Sequence, residues 1–380
     1  MTALLDKLKG GRAAKPQTGR IGPIGLHFAE EQVHAVQLRR LASGALCLRA
    51  WASADYPNSR EEALGDAACL QHLMTSVLGR RLFRGRNVVT ALPPAMTRIT
   101  SLNYQVTGGS SDAGRILQLM DERVEGSIND YVIDFLPVRG TASDREKVAL
   151  VAASPRSDVL EFLENLRHAR LEVVELEIGP AALNRLVGQL PRTDDKNGNV
   201  LIINYGAERS YLTVISGRRL LLDKEIDFGA NRLIEQIARG LDISATMAAD
   251  MVVREGLKQP TKKPFGATVE LTPEDLNPVV EIVRPLFARL VEEVRRACLY
   301  AASESQGDVV ESVYTFGTIA RWPGADKLLG EVARIPVADT LPLTAIFDGD
   351  DDSGNIGYAG IGADLAVATG LALRGLTDDA

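Results

Sequence analysis

The chain has 380 residues, 45% hydrophobic and 24% charged, with a formal net charge of -7. That length favours two domains of ordinary soluble composition with a core that needs no staple, and the acidic balance argues against non-specific nucleic-acid binding. Three widely spaced cysteines, Cys47, Cys69 and Cys298, form neither a zinc spacing nor a disulfide framework and suit a reducing compartment. No apolar run reaches the ~18–20 residues that a bilayer span requires. The best candidate, 363–373, carries Asp364 and reads as a buried helix. No signal-peptide pattern opens the sequence, so a cytoplasmic location is expected.

Residues 1–20 hold Lys7, Lys9, Arg12, Lys15 and Arg20 against Asp6, with Leu4, Leu5 and Leu8 near the start. They read as a solvated basic tail, with grazing contact to anionic lipid as the alternative. A hairpin is predicted over 21–38 and a third strand over 45–55. A helix follows over 59–83, then a strand over 87–92 stopped by Pro93 and Pro94. Strand, strand, strand, helix, strand is the order of half an RNase H-like domain. Residues from about 95 to 158 break that rhythm with an edge strand (96–105), a helix (111–124) and a hairpin (131–138 and 147–153). They read as a small inserted α+β subdomain. A helix (158–169) and a strand (172–178) complete a first lobe, 21–192.

The polar cluster 193–199 marks a boundary, and a second lobe, 193–380, repeats the pattern. Two strands lie over 201–215 and a third over 219–227. A helix over 231–239 is stopped by Gly240, and a second helix is expected after residue 243. A long helix covers 278–305, which Pro285 should kink or begin. Strand 309–316, helix 326–333, strand 335–338 and a closing helix 362–374 follow. The recurrence half a chain apart supports an internal duplication. The expected class is α/β, a duplicated RNase H-like fold with two lobes and an insertion.

No Walker loop, no Ser/His/Asp or Cys/His constellation and no metal spacing among His34, His72 and His168 occurs. Asp348, Asp350 and Asp352 match the first places of a calcium loop. Ser353 replaces its glycine and Ala359 its glutamate, so the run reads as a solvated loop.

Several motifs, in order and spacing, carry a resemblance. They are Gly25-Leu26-His27-Phe28-Ala29, Val33-His34-Ala35-Val36-Gln37-Leu38, Ala91-Leu92-Pro93, the run from Glu175 to Leu183, Asn204-Tyr205-Gly206, Gly229-Ala230, Thr315-Phe316-Gly317, Pro323-Gly324 and the closing run from Ala368 to Arg374. Together they resemble the PilM family, actin-like proteins of type IV pilus assembly related to the division protein FtsA. The resemblance implies an actin-like (ASKHA) fold with a nucleotide cleft at Gly25, His27, Asn204, Gly206, Gly229 and Gly317.

The sequence departs from the family at that cleft. The aspartates of the two phosphate hairpins are replaced by His27 and Asn204, and Glu30 and Glu31 follow the first strand. Magnesium wants carboxylate oxygens, and a like-charge pair at ~4 Å costs about 4 kcal/mol at an effective dielectric near 20. ATP with magnesium is therefore expected to bind weakly or not at all, with no catalytic residue and no metal. The plain readings are a backbone-bonded His27, an Asn204 bonded to its own turn, solvated Glu30 and Glu31, and positive-φ turns at Gly206, Gly229 and Gly317.

By the same resemblance, the partner is the extended cytoplasmic tail of a PilN-like inner-membrane protein. It would lie between the first lobe and its insertion, near Val33, Val36, Leu92, Pro93, Pro94 and Ile99, and hold the chain at the membrane's cytoplasmic face. The alternatives are an active ATPase drawing on Asp223 and Glu225, a kinase of the same fold, and a GspL-type secretion protein, a family that carries a transmembrane helix.

Overall fold

A computed structural model describes residues 19–79, 82–106, 111–139, 146–190, 198–258, 277–305, 307–334, 337–338, 343–347 and 362–376. The basic tail up to residue 18, most of the boundary cluster and the acidic run at 348–352 lie outside these residues.

The first lobe begins with three antiparallel strands, β1 (Gly19–Phe28), β2 (Gln32–Leu41) and β3 (Leu46–Asp55). Helices α1 (Arg60–Gly65) and α2 (Ala67–Leu78) lead to β4 (Asn87–Leu92). The single helix expected over 59–83 divides because the Asp66 carboxylate accepts the Ala68 N–H at 2.9 Å and starts a new helix. Helix α4 (Arg156–His168) and strand β8 (Glu172–Ile178) close the lobe, whose sheet runs β3-β2-β1-β4-β8. Alternation sorts the strand residues between its faces. Ile24, Leu26, Phe28, Val33 and Ala35 pack against α2 and α4, where Phe28 meets Phe162 edge-to-face at 5.8 Å.

The insertion is a separate sheet, β5-β7-β6. It comprises β5 (Arg98–Tyr104), α3 (Asp112–Asp121), β6 (Tyr131–Arg139) and β7 (Lys147–Pro155), with its own core around Leu102, Ile116, Met120 and Val151.

Helix α5 (Gly179–Val187) leads to the second lobe, which repeats the first as β11-β10-β9-β12-β13. Its strands are β9 (Asn199–Tyr205), β10 (Ser210–Ser216), β11 (Arg219–Ile226), β12 (Val310–Gly317) and β13 (Val337–Ala338). In both sheets three antiparallel strands are followed by two parallel ones. The duplication is thus realised in the topology.

The helices of this lobe are α6 (Ala230–Leu241), α7 (Ala245–Arg254), α8 (Pro278–Glu304) and α9 (Ala325–Ala333). Gly240 does not stop α6. The helix runs on to Asp242, whose φ of 53° forms the left-handed cap. Gly240 instead gives α8 room, since a Cβ there would lie 2.7 Å from Ile282 Cδ1. Helix α8 starts at Pro278 under an Asn277 cap, and Pro285 lies inside it.

Helix α10 (Ala366–Leu373) is buried at every residue. It returns from the second lobe to the first, between β1 and α5. Two glycines allow this. A Cβ on Gly25 would overlap the Ala368 carbonyl and the Ala372 amide, and one on Gly370 would lie 2.6 Å from the Ala182 carbonyl carbon. Arg185 of α5 ties the layer, donating to the Gly370 carbonyl at 3.0 Å and pairing with Glu177 at 2.6 Å.

Candidate functional site: the interlobe cleft and the adjoining groove

The two hairpin turns face each other across a cavity of about 490 Å³. The first turn is Ala29-Glu30-Glu31, between β1 and β2; the second is Gly206–Arg209, between β9 and β10. Glu30 reaches across the cleft, and its carboxylate accepts the Ala207 N–H at 2.6 Å and the Glu208 N–H at 3.4 Å. Gly206 makes room for it, because a Cβ there would overlap the Glu30 carboxylate. Glu31 accepts the Thr318 hydroxyl at 2.8 Å and pairs with Arg321. Arg321 also pairs with Asp364 at 3.1 Å, and Asp364 accepts the Gly317 N–H at 2.9 Å. Burial opposes the Arg321 charge, but Asp364 and Glu31 outweigh it and hold the guanidinium above its ordinary pKa. Glu30 is therefore not the solvated turn residue expected, whereas Glu31 is exposed as expected but has its carboxylate engaged. Together they clasp the two lobes.

His27 lies behind this clasp, its ring 6.2 Å from that of His34. Its Nδ1 is buried with no hydrogen-bond partner among the described residues, so the backbone-bonded reading fails. Burial first, then the neighbouring His34 and Arg60, pushes its pKa down to about 3. His34 bonds Ser53 Oγ at 2.7 Å and is pushed down to about 4, chiefly by burial, with Asp364 opposing and Arg321 reinforcing the shift. Asn204 sits on β9 at the cleft wall, and no side-chain bond from it to the turn is present among the described residues.

Of the three glycines expected in positive-φ turns, Gly317 has a positive φ, 91°. Gly229 is extended (φ -151°) and Gly206 is not among the positive-φ residues. What those two provide is close approach: a Cβ on Gly229 would overlap the Ala207 carbonyl. At the two hairpins stand a buried imidazole, His27, and an amide, Asn204, where magnesium would prefer carboxylate oxygens, and the second hairpin's amides hold the Glu30 carboxylate.

A larger cavity, about 720 Å³, continues below, between the insertion and the second lobe. Leu92, Pro94 and Ile99 line it, with Asp223 and Glu225 opposite. Asp223 accepts the Thr213 hydroxyl at 2.7 Å, and burial, opposed by that bond, raises its carboxyl to about 7. Glu225 pairs with Arg209 at 2.8 Å and accepts the Tyr211 hydroxyl at 3.2 Å.

A groove of about 580 Å³ opens on the other side of the insertion, between β6 and β8. Both are edge strands of their sheets. Val132, Asp134 and Leu136 project from β6 as exposed residues, and Leu176 and Ile178 of β8 form the facing wall. Val33 and Val36, expected in a partner groove, are fully buried in the two cores, because β2 is covered on both faces. Pro93 is buried as well. Leu92 lines both cavities.

Residues 25–376 match the pattern of the family described as type IV pilus assembly protein PilM. The chain belongs to the PilM family. Among solved structures, the chain is similar to one described as the PilM-PilN type IV pilus biogenesis complex, with 21% identity and a TM-score of 0.68 over 95% of this chain and 100% of that one. It also resembles the ethanolamine utilization protein EutJ from Carboxydothermus hydrogenoformans, with 13% identity and a TM-score of 0.50 over 98% of this chain and 96% of that one. The fold is actin-like. No helix among the described residues is long and apolar enough to cross a membrane.

In this PilM-family chain the cleft-wall acids and bases set a pH dependence. His27 and His34 stay neutral when folded down to about pH 3 and 4, whereas unfolded they bind protons from 6.5. Between pH 6.5 and 4 the unfolded state binds more protons, so stability falls on acidification. Asp223 acts oppositely: its folded carboxyl holds a proton up to about 7 against an ordinary 3.8, which adds stability as pH falls through that window. Two histidines should outweigh one aspartate. Melting temperature is expected to drop from pH 6.5 to 4.5, more steeply in Asp223→Asn and less steeply in His27→Gln. Parallel slopes for all three proteins would remove this assignment.

Proposed function

We propose that the chain is a pilus-assembly scaffold that holds the extended cytoplasmic tail of a PilN-like inner-membrane protein between β6 and β8. In this reading it works at the cytoplasmic face of that membrane, and the amides of its nucleotide cleft are taken up by its own Glu30, with ATP binding weakened or lost. One observation carries the partner site: two edge strands flank one groove, with Val132 and Leu136 exposed along it. An extended chain gains main-chain hydrogen bonds at such an edge, and alternate side chains find apolar pockets. The described solved complex, a PilM with PilN, supports the choice of partner. The glutamate clasp supports the weakened cleft, and the bonded states of Asp223 and Glu225 disfavour an ATPase built on them.

Calorimetry with a synthetic PilN-like tail tests the groove. Leu136→Asp is expected to weaken binding at least ~10-fold, as loss of an apolar anchor does, without unfolding the chain, because Leu136 is already 36% exposed. Ile99→Asp, in the larger cavity, should leave affinity unchanged. The reverse pattern would move the tail out of the groove.

A further inference from the structure

On the groove reading given above, we propose that the tail held between β6 and β8 carries an acidic side chain at the second-lobe end, where Arg218 receives it. Strand register sets the order of side chains along the groove. β6 begins near the junction with the first lobe, where Val132 pairs with Ser154 and Ser154 Oγ lies 3.0 Å from Thr97 Oγ. Asp134 and Leu136 follow on the same face. Val138 comes next on that face and meets the second lobe, its carbonyl accepting an Arg219 guanidinium N–H at 3.2 Å. The groove therefore runs from the first lobe towards the turn between β10 and β11. That turn, Gly217-Arg218, is fixed from a second direction, because Nδ2 of Asn184 on α5 donates to the Arg218 carbonyl at 2.9 Å. Arg218 itself is exposed and lines the groove.

Three arginines line the groove, and two are occupied. Arg185 pairs with Glu177 at 2.6 Å, and Arg374 reaches Glu177 at 3.4 Å and Glu175 at 3.9 Å. The Arg218 guanidinium has no partner among the described residues. The lining acids are engaged as well: Glu175 and Glu177 by those arginines, and Asp134 by the Phe135 N–H, which its Oδ1 accepts at 2.8 Å. An anionic side chain brought to Arg218 gains a partner without displacing one. Charge complementarity of this kind selects among partners and fixes register.

An extended tail beside β6 turns every second side chain to one face, about 6.6 Å apart. Its first, third, fifth and seventh residues then stand opposite Val132, Asp134, Leu136 and the turn at Arg218. The matching side chains are apolar, basic or uncharged, apolar and acidic. Because β6, β8 and the turn belong to the insertion, the first lobe and the second lobe, such a tail joins all three parts of the chain.

Calorimetry on the full chain tests this with synthetic seven-residue tails. Leucine occupies the first and fifth places, threonine the others, and the seventh is glutamate, glutamine or lysine. A fourth tail has glutamine at the seventh place and glutamate at the third, facing Asp134. Each is also made in reversed order, since an edge strand accepts either direction. In the tighter direction, seventh-place glutamate is expected to bind about threefold more tightly than glutamine and about tenfold more tightly than lysine, with the gap closing as salt rises. The fourth tail should bind no better than the glutamine tail. Arg218→Gln should remove the preference for glutamate while leaving the glutamine tail unchanged, and Arg218→Glu should reverse it in favour of lysine. Equal affinities for the three tails, with Leu136→Asp still weakening all of them, would overturn the acidic assignment and leave the groove standing. Binding by no tail, or binding indifferent to Leu136→Asp, would remove the groove reading and this contact with it. A preference for glutamate that survives Arg218→Gln would overturn the role of Arg218.

Discussion

Gly25→Ala and Gly370→Ala should each lower the melting temperature sharply, although each adds one methyl group. Helix α10 fits between β1 and α5 because both glycines present bare backbone to it. The added carbon at position 25 would overlap the Ala368 carbonyl and the Ala372 amide; at position 370 it would lie 2.6 Å from the Ala182 carbonyl carbon. The obstructing atoms are backbone in both cases, so no rotamer change relieves the overlap. Either α10 lifts or β1 moves. Overpacking of this kind costs about 3 kcal/mol or more, a large part of a typical stability. All eight residues of α10 are buried, so lifting it exposes Val367, Leu371 and Leu373 together. A drop of roughly 5–10 °C is expected by calorimetry or circular dichroism. Gly65→Ala serves as the control, since a Cβ there meets nothing within 4 Å. Equal melting temperatures for Gly25→Ala and Gly65→Ala would refute this account of the helix.

The position of α10 was legible in the sequence, whereas the reason for its glycines was not. An eleven-residue apolar stretch with one acid reads readily as a buried helix, and two runs of three strands half a chain apart read as a duplication. Period and length carry such information locally. Gly25 and Gly206 resemble phosphate-loop glycines in one dimension; in three, one admits a helix and the other a glutamate. Val33 and Val36 show the same limit. A strand covered on both faces cannot be told from one beside a groove by alternation alone, and the buried faces of β2 are supplied by α2, α4 and α10, the last two more than a hundred residues away. Glu30 and Glu31 read as turn residues because their partners, Ala207, Thr318 and Arg321, lie 177 to 290 positions distant. Two acids beside a phosphate hairpin were the available signal. Their use as a clasp required the second lobe.

That clasp predicts a gain of function on removal. Backbone amides after the second hairpin are where a nucleotide phosphate would bind in a cleft of this shape, and Glu30 holds those of Ala207 and Glu208. An attached carboxylate competes at an effective concentration in the millimolar range or above. The cleft lining also sets five carboxylates, Glu30, Glu31, Glu208, Glu225 and Asp364, against three arginines, Arg60, Arg209 and Arg321. Glu30→Ala with Glu31→Ala would vacate the amides, release Arg321 and Thr318, and bring the lining to charge balance. The unsubstituted chain is expected to bind ATP more weakly than about 1 mM, and the double variant at least tenfold more tightly, a change of about 1.4 kcal/mol. The gain should not depend on magnesium, because His27 is neutral and Asn204 is an amide, so no carboxylate stands where the cation would be held. Titration with ATP in the presence and absence of a chelator separates the effects. Micromolar affinity in the unsubstituted chain, or a double variant no tighter than its parent, would mean that the glutamates do not hold the phosphate site.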